Sequence, residues 1–333
     1  HVFGILAGFS DPEPLILPSN QTPLGALPAR FRRPRVLVVG CGDVGLRAAG
    51  QMGAPQSRRV RLLALTSSPE RVRFLRASGI TPLQGDLDQP HSLQRLAGLA
   101  TQVIHLAPPP GDVRGEVTAD PRTLALTRAL RRRTPPLAMV YGSTTGVYGD
   151  CGGARVSETR LPSPHTARAQ RRVSAERAIR FFGRSAGVRV SILRIPGIYA
   201  LDREGGTPRE RLLKGTPVLR VQDDVYTNHI HADDLARACV QALWRGRPQR
   251  VVNVSDDTDL KMGDYFDLAA DLMGLPRPPR IPRASASDVL PLMLLSFMNE
   301  SRRLDNTRMK SELRLRLRYA HVRDGLSPQK QLL

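Results

Sequence analysis

Lysine is almost missing from this sequence. Of 50 basic residues only Lys214, Lys261, Lys310 and Lys330 are lysines, and the arginines are spread from Arg30 to Arg323. A formal charge of +20 would suit a polyanionic partner if it formed a patch or a recognised module. Its dispersal along the chain reads instead as a solvated surface, so nucleic acid is not an expected partner, although small anionic ligands are. Cysteine is equally scarce. Cys41, Cys151 and Cys239 are far apart and in no metal-ligand spacing, which argues against a disulfide framework and a zinc site and makes a reducing cytoplasm the expected compartment. No apolar run reaches the roughly 18 residues of a membrane helix, "LPLMLLSFM" from Leu290 being about half that, so no membrane partner is expected. Aromatic residues make up 5% and hydrophobic residues 41% of 333 positions, an ordinary globular balance with room for one large core and a smaller lobe.

Residues 1–33 hold five prolines, no helical or strand period and a basic ending, and read as a disordered leader. Their positive charge follows the apolar residues, which disfavours a signal peptide and leaves a transit peptide as the alternative. From Arg35 short apolar runs alternate with helical stretches, the pattern of βαβ units and a parallel sheet. The runs are "RVLVVG", "RLLALT", "ITPLQG", "QVIHLA", "LAMVYG", "VRVSILRI" and "QRVVNVS", seven candidate strands. One intervening helix is marked at both ends, with Ser68 as its cap, Pro69 at its first position and Gly79 closing it. Beyond Pro196 the alternation loosens, and "DLKMGDYFDLAADLMGLP" with the stretch from Ala286 to Leu313 reads as helices of a smaller lobe.

"VLVVGCGDVGLRAA" sets Gly40, Gly42 and Gly45 as GxGxxG between an apolar strand and a helix. In that context Gly40 permits a tight turn, Gly42 admits a diphosphate to the backbone, and Gly45 lets helix and strand approach. Free amides at the helix start, at Asp43 and Val44, complete an anion site, with Asp43 read mainly as a helix-start residue. The fold class is therefore α/β, a doubly wound parallel Rossmann sheet with a small C-terminal substrate lobe. The second strand ends in Thr66, Ser67 and Ser68 with Arg71 one turn on, where an NAD site usually offers a carboxylate. Hydroxyls and a guanidinium suit a 2′-phosphate, so NADP is the favoured cofactor and NAD the alternative.

The order of motifs resembles the extended short-chain dehydrogenase/reductase family, which includes nucleotide-sugar epimerases and dehydratases, over residues 34–327. "GDLDQP" is similar to the family's adenine-contacting segment and implies roles for Asp86 and Leu87. "VIHLAPPP" matches the fourth-strand end beside the nicotinamide ribose, Leu106 and Ala107 here, and "LRIPGIYA" the turn that packs on the nicotinamide through Pro196. "NHIHADDLARA" and "LDNTRMKSEL" resemble two further family passages. The resemblance implies a dinucleotide-binding domain over 34–254, with a substrate-lobe excursion near 197–227, and a substrate lobe over 255–327.

In that family a Ser or Thr on the fifth strand holds the substrate oxygen, and a Tyr in a YxxxK helix turn exchanges the proton. "GSTTGVYGD" implies Thr144 in the first role with Ser143 beside it. The dyad itself is missing: between Leu161 and Ile179 there is neither tyrosine nor lysine. Aligned on Glu176, Arg172 stands at the lysine position and Arg168 at the tyrosine position; aligned on "SP", His165 and Ala169 stand there. Arginine stays protonated and cannot replace a phenol, though it can clamp a phosphate or carboxylate. His165 and Tyr148 are the remaining proton-donor candidates, Tyr148 also reading as a structural tyrosine of its turn. The expected activity is an atypical oxidoreductase or epimerase-like one on a small, in one reading anionic, molecule. A non-catalytic NADP(H)-binding sensor and a scaffold are the alternatives, and a homodimer fits either.

His229 and His231 share a strand face but match a structural passage of the family, so no metal site is expected. Asp233 or Asp234 is expected to cap the following helix, and His105 to be packed and satisfied. Arg194 and Tyr199 are candidates to line the substrate cleft.

Overall fold

A computed structural model describes residues 33–111 and 118–327; the expected leader, save Arg33, lies outside the described residues. Each of the seven apolar runs forms a strand: β1 Arg35–Val39, β2 Arg61–Thr66, β3 Thr81–Gln84, β4 Gln102–His105, β5 Ala138–Thr144, β6 Arg189–Ile195 and β7 Arg250–Asn253. They make one parallel sheet in the order β3-β2-β1-β4-β5-β6-β7. The central strands are largely apolar because both faces of the sheet are covered, while the edge strand β3, Thr-Pro-Leu-Gln, is only partly buried. Along β1, Val36 and Val38 enter one hydrophobic cluster while Leu37 and Val39 enter the other, as the two-residue period of a strand requires.

Helices α1 (Asp43–Gln51), α2 (Arg71–Ala77) and α5 (Ala232–Arg245) cover the first face, contributing Ala49, Leu75, Leu235 and Cys239 to its core. Helices α3 (Pro121–Arg131) and α4 (Ala167–Ala186) cover the second with Leu126, Leu130, Ile179 and Phe182. Asp120 caps α3 by accepting from the Arg122 and Thr123 amides, with Pro121 at the first position. Thr166 caps α4, which closes at Gly187 in the left-handed region.

Two expected caps are displaced. Ser68 lies in a tight turn in which its amide donates to the Thr66 hydroxyl at 3.2 Å, the Arg71 amide donates to its backbone carbonyl, and α2 starts at Arg71 with Glu70 at its boundary and no side-chain cap. At α5 the cap is His231, whose Nδ1 accepts from the Asp233 amide at 3.2 Å; Asp234 accepts from Arg318 and Tyr319 instead.

A third core joins residues of the 197–227 excursion, Tyr199, Leu212, Val218 and Val225, to Phe266 and Ala269 of helix α6 (Met262–Met273) and to Val322 and Leu326. This core thus draws on chain segments on either side of β7. All seven strands point their C-terminal ends to one edge, where the connecting loops open a cleft.

Candidate functional site

The cleft encloses about 660 Å³ and runs from the loop after β2, across the glycine turn, to the ends of β5 and β6. Gly40 has φ +83°, and a Cβ there would lie 2.3 Å from the Ala107 nitrogen. A Cβ on Gly45 would meet Gly40 O at 3.0 Å and Val38 Cγ1 at 3.2 Å, so this glycine sets the helix-to-strand approach. Gly42 is different: its Cβ would meet nothing within 4 Å and would project into open space at the head of α1. No side chain caps α1, leaving its first amides, Asp43 and Val44 among them, for an anion. An open cradle over free amides fits a diphosphate, and so fits a nicotinamide dinucleotide.

At one end Thr66, Ser67, Ser68 and Arg71 line the cleft. The Arg71 Nη2 donates to Cys41 O at 2.7 Å, which fixes the guanidinium beside the glycine turn. The Thr66 hydroxyl is committed to its own turn with Ser68, so Ser67 and Arg71 carry the polar contacts on offer. Asp86 and Leu87 line the same wall, with one Asp86 oxygen accepting from the Asp88 amide at 2.9 Å. The Cys41 thiol is pushed up to about 11 by burial and stays protonated.

The other end gathers Leu106, Ala107, Ser143, Thr144, Arg172 and Pro196. Thr144 ends β5 half-buried, its hydroxyl accepting from the Gly146 amide at 3.3 Å. Arg172 reaches from α4 to donate to Gly142 O at 2.7 Å and the Tyr141 hydroxyl at 3.1 Å. Behind this wall Ser143 donates to Glu176 Oε1 at 2.6 Å, and Glu176 takes both arms of Arg194, at 3.0 and 2.8 Å. Ser143 is therefore a supporting residue, its hydroxyl turned into the sheet.

The two remaining proton-donor candidates stand elsewhere. Tyr148 is fully buried, donates to Asn253 Oδ1 at 2.7 Å and lies under the Arg194 guanidinium, and burial raises its pKa. His165 is exposed against Gly149 and does not line the cleft. Arg168 is also exposed, over the Phe297 ring. Arg194 and Tyr199 are buried rather than cleft-lining, and Ile195 and Ile198 take the places expected of them. His105 is buried against Thr123 Oγ1 at 2.9 Å, and burial holds it neutral, down to about 3.

Arg122 and Arg203 also line the cleft, and no local motif marked them. Arg122 holds Asp88 with two bonds, at 2.7 and 2.6 Å, and Arg203 holds Asp43. Arg71 and Arg172 have no carboxylate partner among the described residues, which leaves an uncompensated guanidinium at each end of the cleft. Such a cleft suits a ligand with several anionic groups. Among the described residues no group of three or more His, Cys, Asp and Glu is placed to hold a metal; His229 and His231 stack on Tyr265 and Tyr319. Within the same limits no helix is long and apolar enough to cross a membrane.

The family model for the NAD dependent epimerase/dehydratase family matches residues 48–255. No curated protein matches the chain. Among solved structures, a functionally unknown conserved protein from Silicibacter pomeroyi is 29% identical, with TM-score 0.72, covering 90% of this chain and 98% of its own. UDP-glucose 4-epimerase from Thermotoga maritima, with UDP-glucose, has TM-score 0.71 at 19% identity, covering 89% of this chain and 97% of its own. UDP-glucuronic acid 4-epimerase from Bacillus cereus, in complex with NAD, has TM-score 0.69 at 17% identity, covering 88% and 96%. The last two establish likeness of fold.

Proposed function

The chain belongs to the NAD dependent epimerase/dehydratase family, and from that premise we propose that its cleft binds a nicotinamide dinucleotide, NADP(H) in preference to NAD(H), and acts in hydride exchange on a small anionic alcohol or carbonyl compound. The observation that carries this reading is the pairing of an open cradle at Gly42 with a guanidinium at either end of the cleft, Arg71 and Arg172, that has no carboxylate partner among the described residues. When bound, the dinucleotide donates or accepts a hydride at its nicotinamide ring. The amides of α1 hold the diphosphate, Arg71 and Ser67 the 2′-phosphate, and Asp86 and Leu87 the adenine side. Leu106, Ala107 and Pro196 form the apolar wall at the reactive end.

Thr144 offers a hydroxyl to the substrate oxygen, and Arg172 offers charge to an oxyanion or to an anionic substrate group. Among the described residues that line this end there is no tyrosine or lysine, and the Tyr141 phenol behind Arg172 is fully buried, so the proton is exchanged with solvent at the open mouth. The test is oxidation or reduction of coenzyme over a panel of hydroxy acids, keto acids and nucleotide sugars. Turnover that falls about 10²-fold or more in Thr144→Ala supports the reading; turnover indifferent to that change overturns it.

A second reading, a non-catalytic NADP(H) sensor, is favoured by one specific observation: Tyr148 is locked in the sheet and His165 faces away from the cleft. Tight NADPH binding with no turnover on any of the panel would select it.

A further inference from the structure

At the edge of the sheet opposite the cleft, β1 and β2 are entered through two basic tracts, "RPR" (33–35) and "SRRVR" (57–61). The parallel register sets Arg35 beside Arg61, and the Arg61 amide donates to Pro34 O at 2.8 Å, so the tracts are neighbours. Between them lies a second cavity of about 410 Å³, lined by Arg33, Arg58 and Arg61 with Pro55, Gly79 and Thr81, and by no carboxylate.

Arg58 is the fixed element. It is only 8% exposed, its Nε donating to Gly53 O at 2.6 Å and its Nη1 to Gly79 O at 2.9 Å. These carbonyls follow the C-terminal ends of α1 and α2. Each helix end carries roughly half a negative charge, so the two together balance about one positive charge, that of Arg58. Its Nη2 has no acceptor among the described residues. Burial without any anion lowers its pKa below the ordinary arginine value. Arg33 and Arg61 are exposed, and among the described residues neither pairs with a carboxylate, so about two positive charges at the cavity stand uncompensated.

We propose that this cavity is a binding site for a phosphoryl dianion, either free phosphate or the phosphate of a small monoester, held by Arg33 and Arg61 with Arg58 Nη2 at its floor. Guanidinium forks match the oxygen spacing of a phosphoryl group, and two of them match its charge. The site is separate from the dinucleotide cleft and does not depend on the function assigned to it.

Calorimetry of the full chain with inorganic phosphate, at pH 7.5 and with saturating NADPH to occupy the glycine turn, tests the proposal. One phosphate should bind, and the Arg33→Gln, Arg61→Gln double variant should weaken it at least tenfold while its melting temperature in phosphate-free buffer stays unchanged. Comparison with a sugar monophosphate separates the sources: tighter binding of the ester assigns a phosphorylated small molecule, and tighter binding of phosphate assigns the free ion. No binding under these conditions, or equal binding by the double variant, overturns the site. The variant comparison holds whether or not NADPH binds.

Discussion

Asp43 Oδ2 and Arg203 Nη1 meet at 2.5 Å, joining the first residue of the helix behind the glycine turn to a loop of the 197–227 excursion. The other Asp43 oxygen is held by Arg47 at 3.0 Å, and Arg47 reaches on to Asp202 at 2.7 Å and Asp233 at 2.6 Å. A carboxylate at a helix N-terminus is favoured by the helix dipole. It is also an anion beside the amides that would receive a diphosphate, and the two guanidiniums offset its repulsion.

Arg203→Ala therefore exposes the diphosphate to Asp43 and should weaken dinucleotide binding. Both partners are partly exposed, so the effect is modest, about 1–2 kcal/mol or roughly 5- to 30-fold in Kd. Asp43→Asn removes the repelling charge and should bind at least as tightly as the parent. Titration calorimetry with NADPH decides; unchanged affinity in Arg203→Ala would remove this arginine from the site.

The glycine turn separates binding from folding. Gly42→Ala places a methyl in open space, so the fold should keep its melting temperature while dinucleotide affinity falls by about 10-fold or more. Gly40→Ala combines a left-handed φ with a 2.3 Å clash against the Ala107 backbone and should lower the melting temperature outright. Thermal scans with and without NADPH read both. A Gly42→Ala protein with full NADPH protection would show that the diphosphate lies elsewhere.

The buried ion pair behind the reactive wall gives a stability prediction. Glu176 and Arg194 have side chains 4% and 2% exposed, and among the described residues no other carboxylate bonds to Arg194. Glu176→Gln leaves the guanidinium charge buried without a counter-ion and should cost about 3–5 kcal/mol. Ser143→Ala removes a single bond to that carboxylate and should cost about 1–2 kcal/mol. Urea unfolding measures both, and a loss below about 1 kcal/mol in Glu176→Gln would mean that water reaches the pair.

The strands were legible because a parallel sheet covered on both faces writes itself as short continuous apolar runs. The glycine turn was legible because strand, turn and helix are adjacent in sequence. Thr144 and Arg172 were found through motif order alone, and both line the cleft. Arg122 and Arg203 were not legible, since their partners Asp88 and Asp43 lie 34 and 160 residues away and only the tertiary fold unites them. Residue type left Tyr148 open between a structural and a proton-donor role and His165 between a surface and a proton-donor role; Tyr148 is buried and donates to Asn253, and His165 is exposed. The Ser68 cap is not made: the Arg71 amide donates to the Ser68 backbone carbonyl at 3.2 Å, and no side chain caps the helix.

Asp256 predicts how stability depends on pH. It is 4% exposed beside Tyr199 and Tyr265; one carboxyl oxygen accepts from the Thr258 amide at 3.0 Å, and burial raises its pKa from 3.8 to about 7. The native state therefore holds a proton that the unfolded chain gives up near pH 4. The stabilisation from that proton is complete below pH 4 and is lost as pH rises through 7, on the order of a few kcal/mol. His229 acts in the opposite direction: burial lowers it to about 4, so its contribution is complete above about 6.5 and is lost as pH falls through 4. Asp256→Asn keeps an acceptor for Thr258 and cannot ionise. It should match the parent at pH 4 to 5, where Asp256 is protonated, and exceed it at pH 8. Urea midpoints at these pH values test this. A variant less stable than the parent at pH 8 would mean that the native carboxyl is ionised and paired, contrary to its burial.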